Sequence, residues 1–246
     1  MLDRVVAVAL QAADEASSCR VVVATDDDRI ADHAATFGVD VAMTAAALDS
    51  GTSRAYAAAS QQPQKPAYVV NLQGDAPFTP PGMVVEMLRT LRNSPEKDSR
   101  AGGVVTPVFQ LDWPRLDRLR AHKIAVPFSG TTCVRAADGQ ALWFSKAIVP
   151  AIRNEAELRK LPTSPVWQHV GLYGYAMAAL EWFASAPCSP YELLEGLEQL
   201  RFLENGWRIK TIAVEAPDHL LAGIDTPEDL AKAEEAIRRL EDVEPA

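Results

Sequence analysis

The nine residues VVNLQGDAP, 69–77, decide how this chain is read. Tyr68 to Leu72 is a short apolar run broken only by Asn71, and it predicts a buried strand. The run ends in an amide, a glycine and a carboxylate, Gln73-Gly74-Asp75, followed by Pro77. A strand that only turned toward solvent would break with any of Gly, Pro, Asn or Ser. Ligands of open α/β sheets gather at the carboxyl ends of strands, so polar groups set there are candidates for contact with one.

Working outward, strands alternate with helices. Leu2, Val5, Val6, Ala9 and Leu10 have helical spacing and predict a helix over 2–16. Residues 19–38 read as a strand (21–24), a turn in which one of Asp26 to Asp28 caps, and a helix closed by Gly38. A short strand follows at 39–43, then a loop opening an Ala-rich helix over 49–60. Beyond the quoted stretch lies a helix at 81–93. This alternation predicts an α/β fold with a mostly parallel sheet flanked by helices.

The second half changes texture. Strands are expected at 101–109 and 130–145, the latter with a turn at Asp138-Gly139. A strand running into a helix is expected at 170–186, one helix at 189–206 and a strand at 207–216. Residues 223–243 read as a strand end and a last helix, with Thr226 as cap and Pro227 in the first turn. The expectation is one domain over 1–246, with a mixed-sheet insertion at about 101–175.

Of 246 residues, 48% are hydrophobic and 23% charged, a globular composition. The net charge of -9 argues against a non-specific nucleic-acid binder, which needs cations to displace counterions. A few local donors still suffice for a small phosphorylated ligand. Cys19, Cys133 and Cys188 are widely spaced and form no metal or redox motif, which points to a reducing cytoplasm. No apolar run reaches the roughly 18 residues that span a bilayer, and the first residues do not form a signal peptide.

Three polar groups are expected on the sheet's carboxyl edge: Ser50-Gly51-Thr52 with Arg54, then Gln73-Gly74-Asp75, then Asp225. Asp75 and Asp225 could share one Mg²⁺, an ion that takes one or two carboxylates plus substrate phosphates. The plainer readings are a turn residue for Asp75 and a helix cap for Asp225. Ser50 or Thr52 could equally be an ordinary cap, and Arg54 a partner in a surface ion pair. His169 stands just before a strand, and a lone histidine there is more often structural. Glu198 and Gln199 share a helix with inward-facing Leu197, Leu200 and Leu203, so a solvated face is their plain reading. No nucleophile motif, Cys-His or Ser-His pairing or zinc spacing is present.

In order along the chain, VVVATDDDRIADHAATFG, DSGTSR, VVNLQGDAP, GQALWFSKAIVP, HVGLYGYA, LEQLRFLENG and GIDTPEDL resemble the 3-deoxy-manno-octulosonate (Kdo) cytidylyltransferases. The resemblance runs from about residue 2 to 240. It implies a Rossmann-like, GT-A-like nucleotidyltransferase with a smaller insertion used for dimerisation. It implies a Mg²⁺-dependent reaction in which the anomeric hydroxyl of Kdo attacks the α-phosphate of CTP, giving the CMP-sugar and pyrophosphate for lipopolysaccharide synthesis. By similarity Asp75 and Asp225 hold the metal. Ser50, Gly51, Arg54 and Gln73 bind nucleotide, and Lys146, His169, Glu198 and Gln199 face the sugar acid. A cytoplasmic homodimer is implied, without nucleic-acid or membrane partners.

The chain also departs from that pattern. Ala76 stands where the family usually has Glu, Lys146 where it has Arg, and Trp143 where it has Tyr. Ser53 replaces an acidic residue and Thr132 a lysine. Lysine for arginine keeps the charge but loses the planar fork. Met1 aligns with the start of the family's first helix, so the family's first strand and basic phosphate loop are expected to be missing. Two alternatives follow: an inactive paralogue or truncated non-catalytic subunit, and a related nucleotidyltransferase with a different sugar acid.

Overall fold

The computed structural model describes residues 1–48, 50–94 and 100–215, together with 231, 234, 235 and 238. It opens with α1 (Leu2–Ala16), which buries Val5, Val6 and Ala12. Then come β1 (Val22–Thr25), α2 (Asp28–Ala35) and β2 (Asp40–Met43). Asp27 is the cap of α2, accepting from the Arg29 amide at 2.8 Å. Gly38, at φ +70°, ends that helical segment in a left-handed conformation that costs glycine little. Next are α3 (Gly51–Ser60), β3 (Tyr68–Asn71) and α4 (Pro81–Asn93).

The second half holds β4 (Val104–Asp112), α5 (Trp113–Ala125), β5 (Thr132–Arg135), β6 (Ala141–Ser145) and the short α6 (Glu155–Leu158). It continues with β7 (Thr163–His169), β8 (Tyr173–Ala176), α7 (Met177–Ser185), α8 (Pro190–Glu195), α9 (Gln199–Glu204) and β9 (Ile209–Ala213). Here the structure corrects one expectation, the single helix over 189–206. Gly196 adopts φ +63° and donates to the Glu192 carbonyl, which ends α8, and α9 starts afresh. The Asp138-Gly139 turn is present, with Gly139 at φ +83° between β5 and β6. The last strand end and helix expected over 223–243 lie outside the described residues, single helical positions aside.

A second correction concerns the sheet. β1 and β2 pair in parallel, as do β4 and β9. The pairs β3–β8, β4–β8, β4–β7, β5–β7 and β5–β6 are all antiparallel, so the main sheet is not mostly parallel. The cause is topological. β8 arrives late in the chain and inserts between β3 and β4 in the order β3-β8-β4-β7-β5-β6. The strands of 101–175 therefore extend the main sheet. β3 is an edge strand, half-buried throughout rather than buried. Among the described residues no strand joins β1 to β3, although α3 packs against both.

Helices cover both faces. Val104 and Val108 of β4 point into a core with α7 and α9, built on Leu180, Phe183, Leu200 and Phe202. Val105, on the opposite side by the two-residue period of a strand, packs with α1 and α4 through Ala12, Met87 and Leu91. Gly174 of β8 lets α4 approach: a Cβ there would stand 3.0 Å from Leu91 Cδ1 and 3.3 Å from Met87 Cε. At Gly171, by contrast, such a Cβ would meet nothing within 4 Å.

Candidate active site

The first turn of α3 docks on the end of β3. A Cβ on Gly51 would lie 3.3 Å from Asn71 Nδ2 and 3.9 Å from Gln73 Nε2, so Ser50, Gly51 and Gln73 are neighbours. Ser50 is also the cap expected of it, its hydroxyl accepting from the Ser53 amide at 3.0 Å. Arg54 reaches sideways. Its Nη1 donates to Thr44 Oγ1 at 2.5 Å and pairs with Asp26 Oδ1 at 3.3 Å, linking the residues just after β2 and β1. Its ion-pair reading therefore holds.

Asp75 is half-buried in the turn after β3, where Ala76 N–H donates to the Gln73 carbonyl at 3.1 Å. A Cβ at Gly74 would meet nothing within 4 Å, so protein packing does not require glycine there. The surface beside Asp75 is open to a ligand. Asp225 lies outside the described residues.

The second group sits where β8 meets α3 and α9. Buried Thr52 lies 3.0 Å, oxygen to oxygen, from the Tyr175 hydroxyl, and it stands near enough to the Glu198 carboxyl to favour its charged form. Burial raises the Glu198 carboxyl above its ordinary range, and the nearby Thr52 offsets only part of that. Gln199 is 4% exposed. The solvated face expected for Glu198 and Gln199 is thus not observed, because the break at Gly196 redirects the α9 turn inward. A buried ion pair, Arg201 to Glu192 at 2.6 Å, fixes α9 to α8.

His169 is half-buried, its ring 5.2 Å from that of Phe144 and 5.1 Å from that of Tyr173. Burial, with the nearby charge of Lys146, pushes it down to about 3, so it is neutral at physiological pH. The Thr106 hydroxyl donates to the Leu172 carbonyl at 2.7 Å and must therefore accept from His169 Nε2 at 2.8 Å. That assigns the proton to Nε2 and leaves Nδ1 as an acceptor. His169 is structural through one nitrogen and chemically competent through the other.

Among the described residues, Tyr173 Oη and Gln199 Nε2 are buried polar atoms without a hydrogen-bond partner. Each such group costs about 1–3 kcal/mol unless a ligand or water meets it. Nothing in the sequence singles out Tyr173 beyond its two-residue spacing from Tyr175, which sets both rings on one face, stacked at 5.9 Å. A cleft of about 260 Å³ runs between Ser50 and Glu198, walled by Leu193 and Arg201. Ser50 and Glu198 are the members of the two groups that line it. The site thus offers backbone and amide donors at one end and a neutral histidine, a tyrosine and a carboxyl at the other.

Comparison with known proteins fits this geometry. The cytidylyltransferase family profile matches residues 1–212. The chain is 38% identical over 215 residues to a 3-deoxy-manno-octulosonate cytidylyltransferase of Maricaulis maris, covering 87% of this chain and 79% of the relative. Identity is 37% over 230 residues with the protein of the same name from Elusimicrobium minutum, covering 93% and 85%. A solved CMP:2-keto-3-deoxy-manno-octonic acid synthetase complexed with CTP superposes with a TM-score of 0.79 at 29% identity, covering 97% of this chain and 87% of that one. The 4-diphosphocytidyl-2C-methyl-D-erythritol synthase of Anaerococcus prevotii, at 11% identity and a TM-score of 0.54, shares the fold alone. Profile, relatives and superposition agree, and the chain belongs to the cytidylyltransferase family.

Proposed function

We propose that the chain transfers CMP from CTP to the anomeric hydroxyl of Kdo and releases pyrophosphate, a step in lipopolysaccharide synthesis. The observation that carries this reading is the link made by α3: its first turn meets Gln73, while Thr52 within it meets Glu198 and Tyr175. One short helix thus joins a nucleotide side to a sugar side, in a chain whose relatives bear the name of this activity.

The sugar hydroxyl oxygen forms a bond to the α-phosphorus, the bond from that phosphorus to the β-phosphate bridging oxygen breaks, and the hydroxyl proton is lost. Such a transfer needs positioning and charge neutralisation rather than a covalent intermediate. Ser50, Gly51 and Gln73 meet the nucleotide, with Arg54 bracing the turn behind them. Lys146 supplies the cation for the sugar carboxylate. His169 accepts from a sugar hydroxyl through Nδ1, while Tyr173 Oη, Gln199 Nε2 and the Glu198 carboxyl serve others.

Asp75 fits a Mg²⁺ ligand: an oxygen donor at a strand end, with open space over Gly74. Among the described residues no three His, Cys, Asp or Glu converge, so its partners would be Asp225 and phosphate oxygens. When bound, the ion neutralises triphosphate charge.

We read 1–246 as one cytoplasmic nucleotidyltransferase unit that dimerises through the strands of 101–175. Exposed Leu142 on edge strand β6 supports an interface there, as does exposed Tyr191 of α8, whose ring lies 5.2 Å from that of Trp143 on the same strand. No helix among the described residues is long and apolar enough to cross a membrane. Lys146 favours a second reading, a related sugar acid, since an ammonium grips a carboxylate less specifically than a guanidinium. Pyrophosphate release from CTP with Kdo and a panel of sugar acids decides between them: the highest turnover belongs to Kdo, and release with none of them ends both readings.

A further inference from the structure

Lys146 is held from both sides of its own peptide. Its N–H donates to Glu195 Oε2 at 2.7 Å, and its carbonyl accepts from Lys123 Nζ at 2.6 Å. The other Glu195 oxygen accepts from Ser145 Oγ at 2.8 Å, and Ser145 Oγ in turn accepts from the Ala147 amide at 2.9 Å. Thr132 continues the clamp: its hydroxyl donates to the Ala147 carbonyl at 2.7 Å and accepts from the Val149 amide at 3.1 Å. Lys123 also donates to the carbonyls of Gly130 (2.9 Å), Pro127 (3.3 Å) and Ser129, so its three protons are all engaged by backbone.

We propose that Glu195 and Lys123 are positioning residues for the sugar-acid site, fixing the Lys146 backbone so that its ammonium meets the substrate carboxylate. The proposal rests on the reading of Lys146 as the cation that faces the sugar acid.

Two further observations favour positioning over simple loop stitching. Glu195 closes α8, one residue before the Gly196 break and three before Glu198. A single carboxylate therefore couples the exit of β6 to the segment that carries Glu198 and Gln199. The charge of Lys146 is also felt at both His169 and Lys123, so the lysine lies near the histidine as well as the clamp. Burial and Lys146 lower the Lys123 ammonium, and Glu195 partly restores it. Lys123 stands in the last turn of α5, so the clamp ties the end of that helix to the Lys146 peptide.

The test is a calorimetric titration of Kdo into the full chain with CDP present, and of CDP alone, for the parent, Lys146→Ala, Glu195→Ala, Glu195→Gln, Lys123→Met and the Lys146→Ala/Glu195→Ala double variant. Expected are about a tenfold or greater loss of Kdo affinity for Lys146→Ala and about five- to tenfold losses for Glu195→Ala and Lys123→Met. CDP affinity stays within about twofold, and the double variant binds Kdo no more weakly than Lys146→Ala, because the clamp acts only through the lysine. Should Glu195→Ala not fold, Glu195→Gln and Lys123→Met carry the same comparison. Equal losses for Kdo and CDP, full additivity in the double variant, or unchanged Kdo affinity in the clamp variants beside a weakened Lys146→Ala would overturn the positioning role alone. If Lys146→Ala binds Kdo like the parent, the lysine's own assignment fails and the clamp falls with it. No binding of Kdo by the parent rejects the functional reading itself.

Discussion

The Thr106 hydroxyl stands 2.8 Å from His169 Nε2 and 2.7 Å from the Leu172 carbonyl, so it accepts from the ring N–H and donates its own proton to the main chain. That contact fixes the ring, while burial and the nearby charge of Lys146 keep it neutral. Its consequence is a pH signature. The histidine titrates near 6.5 when unfolded and near 3 in the fold. Between those values the unfolded chain binds the extra proton, so stability falls as pH drops through this window. Denaturant melts at pH 7 and 4.5 should show the parent losing about 2 kcal/mol more than His169→Asn. Equal losses would mean that the imidazole is not held neutral.

Glu198 carries the opposite sign. Burial raises its carboxyl, so the folded state holds the proton above the pH at which the unfolded state releases it. Stability from this group is complete below the ordinary carboxylate pKa and is lost as pH rises through the raised value. Glu198→Gln should therefore be more stable than the parent at pH 8 by about 1 kcal/mol, and no more stable at pH 4, while its KM for the sugar acid rises. A thermal-melt series against pH reads the first effect and steady-state kinetics the second.

Two glycines separate packing from ligand access. Gly174→Ala drives a methyl to 3.0 Å from Leu91 Cδ1 and should cost about 1–3 kcal/mol of unfolding free energy. Gly74→Ala meets no protein atom within 4 Å and should change stability by less than about 0.5 kcal/mol. If the nucleotide passes over Gly74, the same substitution raises the KM for CTP. Guanidinium melts and CTP kinetics on the two variants give the comparison.

Arg201 and Glu192 have side chains only 9% and 8% exposed, joined at 2.6 Å. Removing one partner leaves the other buried and unmatched, at a cost of about 3–5 kcal/mol. Arg201→Met should thus destabilise far more than Arg201→Met combined with Glu192→Leu, which removes both charges. Denaturant midpoints of the three chains test this.

The helices α1 and α4 fall on the residues that their periodicity marks, 2–16 and 81–93, because an amphipathic helix records its burial locally. Sheet order is not local. Nothing in β3 or β4 announces that β8, some 60 or more residues further on, will slip between them and reverse the expected direction. α5 leaves a weak periodic signal, although Asp112 and Pro114 mark its start, because its apolar face is narrow: only Trp113 and Leu116 are buried. In the candidate site, the sequence marks Ser50, Gly51 and Gln73 as polar groups at element ends, the positions that ligands of α/β sheets favour, and the fold makes them neighbours. Tyr173 was not, since an unpartnered hydroxyl is a property of packing. Glu195 and Lys123 were hidden for the same reason: they act on main-chain atoms, which no sequence pattern records.

The account turns on Asp75 at the end of β3. Its most direct test is the formation of CMP-Kdo and pyrophosphate from CTP, Mg²⁺ and Kdo, followed by ³¹P NMR for the parent and Asp75→Asn. The account predicts the two products in equal amounts from the parent, and a rate lower by about a hundredfold or more in the variant with Kdo affinity retained. A parent that forms no CMP-sugar, or an Asp75→Asn chain as fast as the parent, would contradict it.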